Sequence, residues 1–230
     1  MPAEAMTHEI YLESGKKKVF AGALEWPGWC RFGRDRESAV AKLVEAAPRY
    51  ARVLQGTGLR FSAPSSADDC VIVEQLEGDS TTDYGAPGKA PAVDANSVDD
   101  EALARLQTIL SACWSEFETV IERAAGTDLR KGPRGGGRSR DKIRDHVIEA
   151  HDAYLKKLGW KAPHAGGTGL HERLQRLEQA TVEGVAAAAA GELPTQGPRG
   201  GARWTARYFV RRSAWHLLDH AWEIEDRAVE

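Results

Sequence analysis

The sequence predicts an α+β protein: a small N-terminal β-β-α-β domain followed by a C-terminal four-helix bundle. Three observations predict it. The first eighty residues alternate short β-branched runs with one segment of helical periodicity. A stretch from Gly78 to Ser97 holds Gly85-Ala86-Pro87-Gly88 and Pro91 with almost no apolar periodicity, and reads as a linker. Beyond Val98, four long segments repeat apolar residues at three-and-four spacing, three of them closed by glycine. The expected division is 1–77, a linker over 78–97, and 98–230.

In the first domain, Glu9 to Leu12 and Val19 to Trp26 are strand candidates joined by Ser14-Gly15-Lys16, and Pro27-Gly28 breaks the second. A helix follows from about Arg36 to Leu54. Asp35 is its candidate N-cap, Ala39, Leu43, Ala46, Ala47, Tyr50 and Leu54 recur at helical spacing, and Gly56-Thr57-Gly58 stops it. Cys70 to Leu76, rich in β-branched residues, is the third strand.

The helical half begins near Val98-Asp99-Asp100. Leu103, Leu106, Leu110, Cys113, Phe117, Val120 and Ala124 form a seam that Gly126 ends. The second helix spans about Ser139 to Leu158, with Ile143, Val147, Ala150 and Tyr154 as its stripe. The third runs from about Gly169 to Ala190, with Leu170, Leu174, Leu177 and Val185 inward. The fourth starts near Trp204 and is apolar on more than one face (Tyr208, Phe209, Val210, Trp215, Leu217, Leu218, Trp222, Ile224), which predicts a central position. Four such helices with connections of moderate length make a bundle.

Composition narrows the function. The 230 residues are 28% charged with net charge −3, which leaves no basic footprint for nucleic acid and no polybasic membrane anchor. No apolar run approaches the ~20 residues of a membrane span. The start, Met1-Pro2-Ala3-Glu4, lacks the basic and apolar regions of a secretory signal, so a cytoplasmic protein is expected. Cys30, Cys70 and Cys113 are odd in number and far apart, and are expected to be reduced, small hydrophobes. The motif Gly132-Pro133-Arg134-Gly135-Gly136 recurs as Gly197-Pro198-Arg199-Gly200-Gly201, each copy just before a helix. In an up-down-up-down bundle both loops lie at one end. They read as turn-rich linkers or, through Arg134 and Arg199, as anion-binding loops.

Seven histidines carry the chemical signal. His216 and His220 stand four apart on the last helix, so their imidazoles lie ~40° apart and reach one ion. Leu217 occupies the position where a zinc protease has its glutamate, so the motif contains no general base. Burying two imidazoles is costly unless each nitrogen has a partner. A metal supplies one, and a carboxylate or carbonyl the other. Asp219, Glu223 and Asp145 are candidates for orienting these rings, or salt-bridge partners of Arg212 or Arg227. The third ligand must come from another helix. His146 and His151 on the second helix lie ~140° apart and cannot both face one ion. Periodicity does not choose between them. His171 is a weaker candidate, and His8 and His164 read as loop or edge residues.

Two resemblances bear on these choices. Asp141-Lys142-Ile143-Arg144-Asp145-His146-Val147-Ile148-Glu149-Ala150 with Tyr154-Leu155, and Trp215-His216-Leu217-Leu218-Asp219-His220, resemble the second and last helices of DinB/YfiT-like proteins. The resemblance spans roughly 98–230. It implies a DinB-like four-helix bundle and the metal ligands His146, His216 and His220, with His151 outside the set. It also implies an enzyme of the thiol-dependent transferase or isomerase kind, using mycothiol, bacillithiol or glutathione. Val19-Phe20-Ala21 through Glu25-Trp26-Pro27-Gly28-Trp29-Cys30, then Gly33-Arg34-Asp35 and a helix, resembles the HicB-type antitoxin fold over ~50 residues, which implies an interaction or oligomerisation module.

The expected protein is therefore a divalent-metal-dependent enzyme acting on a small molecule. Zinc or nickel is the expected metal, a low-molecular-weight thiol a possible cofactor, and a homodimer a possible assembly. Three neutral imidazoles leave an open position for a thiol, or for water in a hydrolase. The alternative is a non-catalytic binding or regulatory module whose metal is structural or vestigial, favoured by the missing base beside His216.

Overall fold

The computed structural model describes residues 7–131, 137–161 and 169–228. The chain is mixed α and β and divides into two compact units, Met1–Asn96 and Ser97–Glu230.

In the first unit, β1 (His8–Ser14), β2 (Val19–Ala23), β3 (Cys30–Gly33) and β4 (Cys70–Glu77) form a sheet of order β3-β2-β1-β4. β1-β2 and β2-β3 are antiparallel hairpins, and β4 lies parallel to β1. Helix α1 (Arg36–Val53) falls between β3 and β4, as a return to a parallel strand requires. Asp35 caps it in a reciprocal box with Ser38. Its inner face (Ala39, Leu43, Ala47, Tyr50) is fully buried. The Trp29 indole donates to Leu43 O at 2.8 Å, and the Tyr50 hydroxyl to Pro27 O at 2.9 Å, which ties the second hairpin to the helix.

Two expectations change in this unit. The strand expected over Val19–Trp26 stops at Ala23, and Leu24–Trp29 turns the chain into β3, so the order is β-β-β-α-β. β3 escapes periodicity because it has four residues, of which Arg31 and Phe32 are both half-buried. Gly33 must be glycine: a Cβ there would stand 2.3 Å from Ala39 N. The segment expected to be a linker is also folded. It carries helix α2 (Ser80–Tyr84) and a 3-10 turn at Ala92–Ala95, and groups with the first unit as far as Asn96. Glu13, fully buried on β1, holds it. The Glu13 carboxylate accepts from the Thr82 hydroxyl, from Gly88 N at 2.9 Å and from Lys89 N at 3.0 Å. Hydropathy does not register a segment held by a carboxylate and main-chain N–H groups.

The second unit contains α3 (Asp100–Arg123), α4 (Arg140–Leu158), α5 (Leu170–Ala189) and α6 (Ala206–Arg227). Side chains of Asp99, Ser139 and Thr205 cap α3, α4 and α6, and Gly159 ends α4 in the left-handed region. α6 is the centre: it packs against α3, α4 and α5, and both polar and apolar residues along it are buried. α3 and α5 are joined by Trp114 Nε1 donating to Thr181 Oγ1 at 3.1 Å. Leu170, expected to face inward, is 40% exposed at the start of α5. Among the described residues no helix is long and apolar enough to cross a membrane. All three cysteines are free; Cys30 and Cys113 are buried and Cys70 is half-buried.

Candidate metal centre

α4 and α6 pack against each other and bring His146, His216 and His220 together. Each offers one nitrogen, and the three nitrogens lie within 4.8 Å of one another. The ring centroids form a near-equilateral triangle: 5.1 Å from His146 to His216, 5.1 Å from His146 to His220 and 4.6 Å from His216 to His220. His216 Nε2 stands 3.3 Å from His146 Nε2. Two ligands of a tetrahedral ion, each at ~2.0–2.1 Å, lie ~3.3 Å apart, so this edge already has the spacing of a metal site. The group can hold a metal ion.

Proton affinity fits the same use. Burial, then the positive charge of Arg138, pushes His146 down to about 4. Burial likewise holds His216 well below its ordinary range, and the neighbouring histidines add to it. These two rings are therefore neutral at physiological pH, the form that ligates. His216 and His220 are buried while His146 is half-buried, so a ligand would approach from the His146 side.

The carboxylate behind His220 is Glu223, one turn on. Its Oε2 lies 2.9 Å from His220 Nδ1, and its Oε1 accepts from Arg227 Nη1 at 2.5 Å. Burial alone would raise Glu223, but the hydrogen bonds from His220 and Arg227 outweigh it and hold the carboxylate low. Arg227 is fixed in turn by the carbonyls of Arg130 (2.8 Å) and Arg138 (2.9 Å). Glu223 thus orients a ring and forms a salt bridge at once, while Asp145 is paired at the surface with Arg144. With its Nδ1 engaged, His220 presents Nε2 to an ion.

His151 is the residue that sequence reasoning left without a role. It is fully buried, its Nδ1 is bonded to Val147 O at 2.9 Å, and its ring packs 4.7 Å from Trp114 and 5.5 Å from His216. It lies outside the three-nitrogen group, yet its ring, like that of His146, packs against His216. Tyr154 also borders His216, at 5.6 Å between rings, and its hydroxyl accepts from Arg212 Nη2 at 3.3 Å. Burial raises the Tyr154 hydroxyl, partly offset by Arg212, so it keeps its proton. Its place in an apolar stripe hid it from the sequence.

The remaining candidates lie elsewhere. His171 is exposed on α5. His8, expected at a loop or edge, is a buried strand residue whose Nε2 meets Ser62 O at 2.8 Å beside Trp29 and Phe61. Arg134 and His164 lie outside the described residues. Arg199 is exposed in the turn before α6. A cavity of about 410 Å³ at the start of α4 is lined instead by Lys131, Arg138, Arg140 and Arg227, together with Asp128 and Asp141. Comparison of the chain with protein-family models, curated proteins and solved structures finds no match.

Proposed function

We propose that the C-terminal unit is a four-helix bundle of the DinB-like kind and that the protein is a divalent-metal-dependent enzyme, a thiol-dependent S-transferase or isomerase acting on a small electrophile. The observation that carries the proposal is the convergence of three histidine nitrogens from two helices, with one 3.3 Å edge already at ligand spacing. Zinc or nickel suits such a set of imidazoles. A bound divalent ion would supply Lewis acidity and one open position, at which a thiol loses its proton near neutral pH.

The chain's own residues do the rest. Three imidazole ligands would bring no charge of their own, so an ion held there would keep its full electrophilicity. Glu223 and Arg227 fix the His220 ring. Tyr154 packs its ring against His216 and keeps its hydroxyl proton beside Arg212. Leu217, where a hydrolase of the zinc-protease type has its base, is fully buried. A reaction that brings its own nucleophile therefore suits this site better than hydrolysis.

The test supplies metal-loaded protein with glutathione, bacillithiol or mycothiol and a chromogenic electrophile. The proposal expects conversion of the electrophile that depends on both metal and thiol and is lost in His216→Ala, with net thiol consumption for a transferase and none for an isomerase. Metal-loaded protein that converts no electrophile with any of these thiols would favour the binding-module alternative.

A further inference from the structure

Three buried side-chain atoms around His216 have no hydrogen-bond partner: His216 Nδ1, Ser213 Oγ and His151 Nε2. All three residues are interior, with Ser213 and His151 fully buried and His216 4% exposed. Unpaired buried polar atoms are rare and costly, so three on His216 and residues neighbouring it need an explanation.

Ser213 precedes His216 by three residues on α6, on the same face. The Ser213 carbonyl also faces the His151 ring across the α4–α6 contact, so it competes with Val147 O for the ring proton. Hydrogen-bonding capacity then fixes a direction. His151 donates from Nδ1 to Val147 O, so its Nε2 carries a lone pair and can only accept. A histidine that ligates through Nε2 carries its proton on Nδ1, which can only donate. A serine hydroxyl between them can accept one bond and donate the other.

We propose that Ser213 and His151 are positioning residues for the metal centre. They form a directed chain in which His216 Nδ1–H donates to Ser213 Oγ, and Ser213 Oγ–H donates to His151 Nε2. The inference rests on the metal reading of His146, His216 and His220. Such a chain would give each of the three atoms the partner it lacks. Without metal, the proton shared across the 3.3 Å His216–His146 contact can sit on His216 Nε2, and the chain has no obligatory donor. Ligation fixes the proton on Nδ1 and completes the chain. Ser213 and His151 thus hold the His216 ring in its ligating pose.

The test is a zinc competition titration on the full-length chain, wild type beside Ser213→Ala and His151→Phe, together with nitrogen-15 spectra of the zinc-loaded wild-type histidines. The expected result is a ten- to hundredfold rise in the zinc Kd of each variant. The metal-free thermal midpoint of Ser213→Ala should be unchanged or raised, because that state leaves a buried hydroxyl unpaired; a serine that serves the fold would lower it. The spectra should place protons on Nδ1 of both His216 and His151. They need no variant, so a failure of His151→Phe to fold leaves the test intact. Wild-type protein that binds no zinc overturns the metal reading and the relay with it. Zinc bound equally by wild type and Ser213→Ala, or a His151 protonated on Nε2 toward the Ser213 main chain, overturns the relay alone.

Discussion

Glu13 in the first unit and His216 in the second are both deeply buried polar side chains, and their surroundings treat them in opposite ways. The Glu13 carboxylate is saturated: one hydroxyl and two main-chain N–H groups converge on it. That arrangement offsets the cost of burial and uses the carboxylate to fold residues 78–89 onto the sheet. His216 keeps a nitrogen unpaired and stands beside two more histidines and a second unpaired nitrogen on His151. A saturated buried polar group explains itself as structure. One with spare capacity, on the helix with the most buried surface, points to a ligand.

The largest effect that would break this contrast is in the first unit. Glu13→Ala strands the amides of Gly88 and Lys89 and the Thr82 hydroxyl, and should cost about 3 kcal/mol or more of stability in urea unfolding. Zinc affinity should not change. A near-neutral Glu13→Ala would show that the 78–96 segment does not depend on the carboxylate.

A comparable effect, read through pH, belongs to the second unit. Burial pushes His151 down to about 4 from an ordinary 6.5, and His146 likewise. These rings stay neutral in the fold, whereas the unfolded chain takes up their protons below about pH 6.5. Metal-free stability should be full above that pH and fall as the pH drops toward 4. His151, being fully buried, should account for on the order of 3 kcal/mol. Urea midpoints at pH 8, 6 and 4.5 check this, and a flat profile would contradict it. The smallest effect sharpens the contrast within the site. Glu223→Gln keeps the shape behind His220 but removes the charge, and should weaken zinc about tenfold in a competition titration; it should also lower metal-free stability, because buried Arg227 loses its ionic partner.

The parts of this picture that were legible in the sequence are those written as periodicity or local chemistry. The Asp35 cap, the four long helices and the central place of the last one follow from spacing. The His216–His220 pair follows from a four-residue step. What stayed hidden depends on partners distant in sequence. β3 is too short for alternation to register. The 78–96 segment is held by Glu13, more than sixty residues away. The choice between His146 and His151 turns on how α4 packs against α6, which no pattern within α4 records; the family resemblance alone pointed to His146. Ser213 lay on the expected face, but its relation to His151 appears only once the two helices are packed.

The central claim is that His146, His216 and His220 bind one metal ion, and the most direct measurement is the metal content of untagged protein. Wild type, His146→Ala and His216→Ala would each be exposed to zinc or nickel, desalted and analysed by element. About one equivalent is expected in the wild type and none in either variant. A wild type that retains no metal, or variants that retain as much as the wild type, would contradict it.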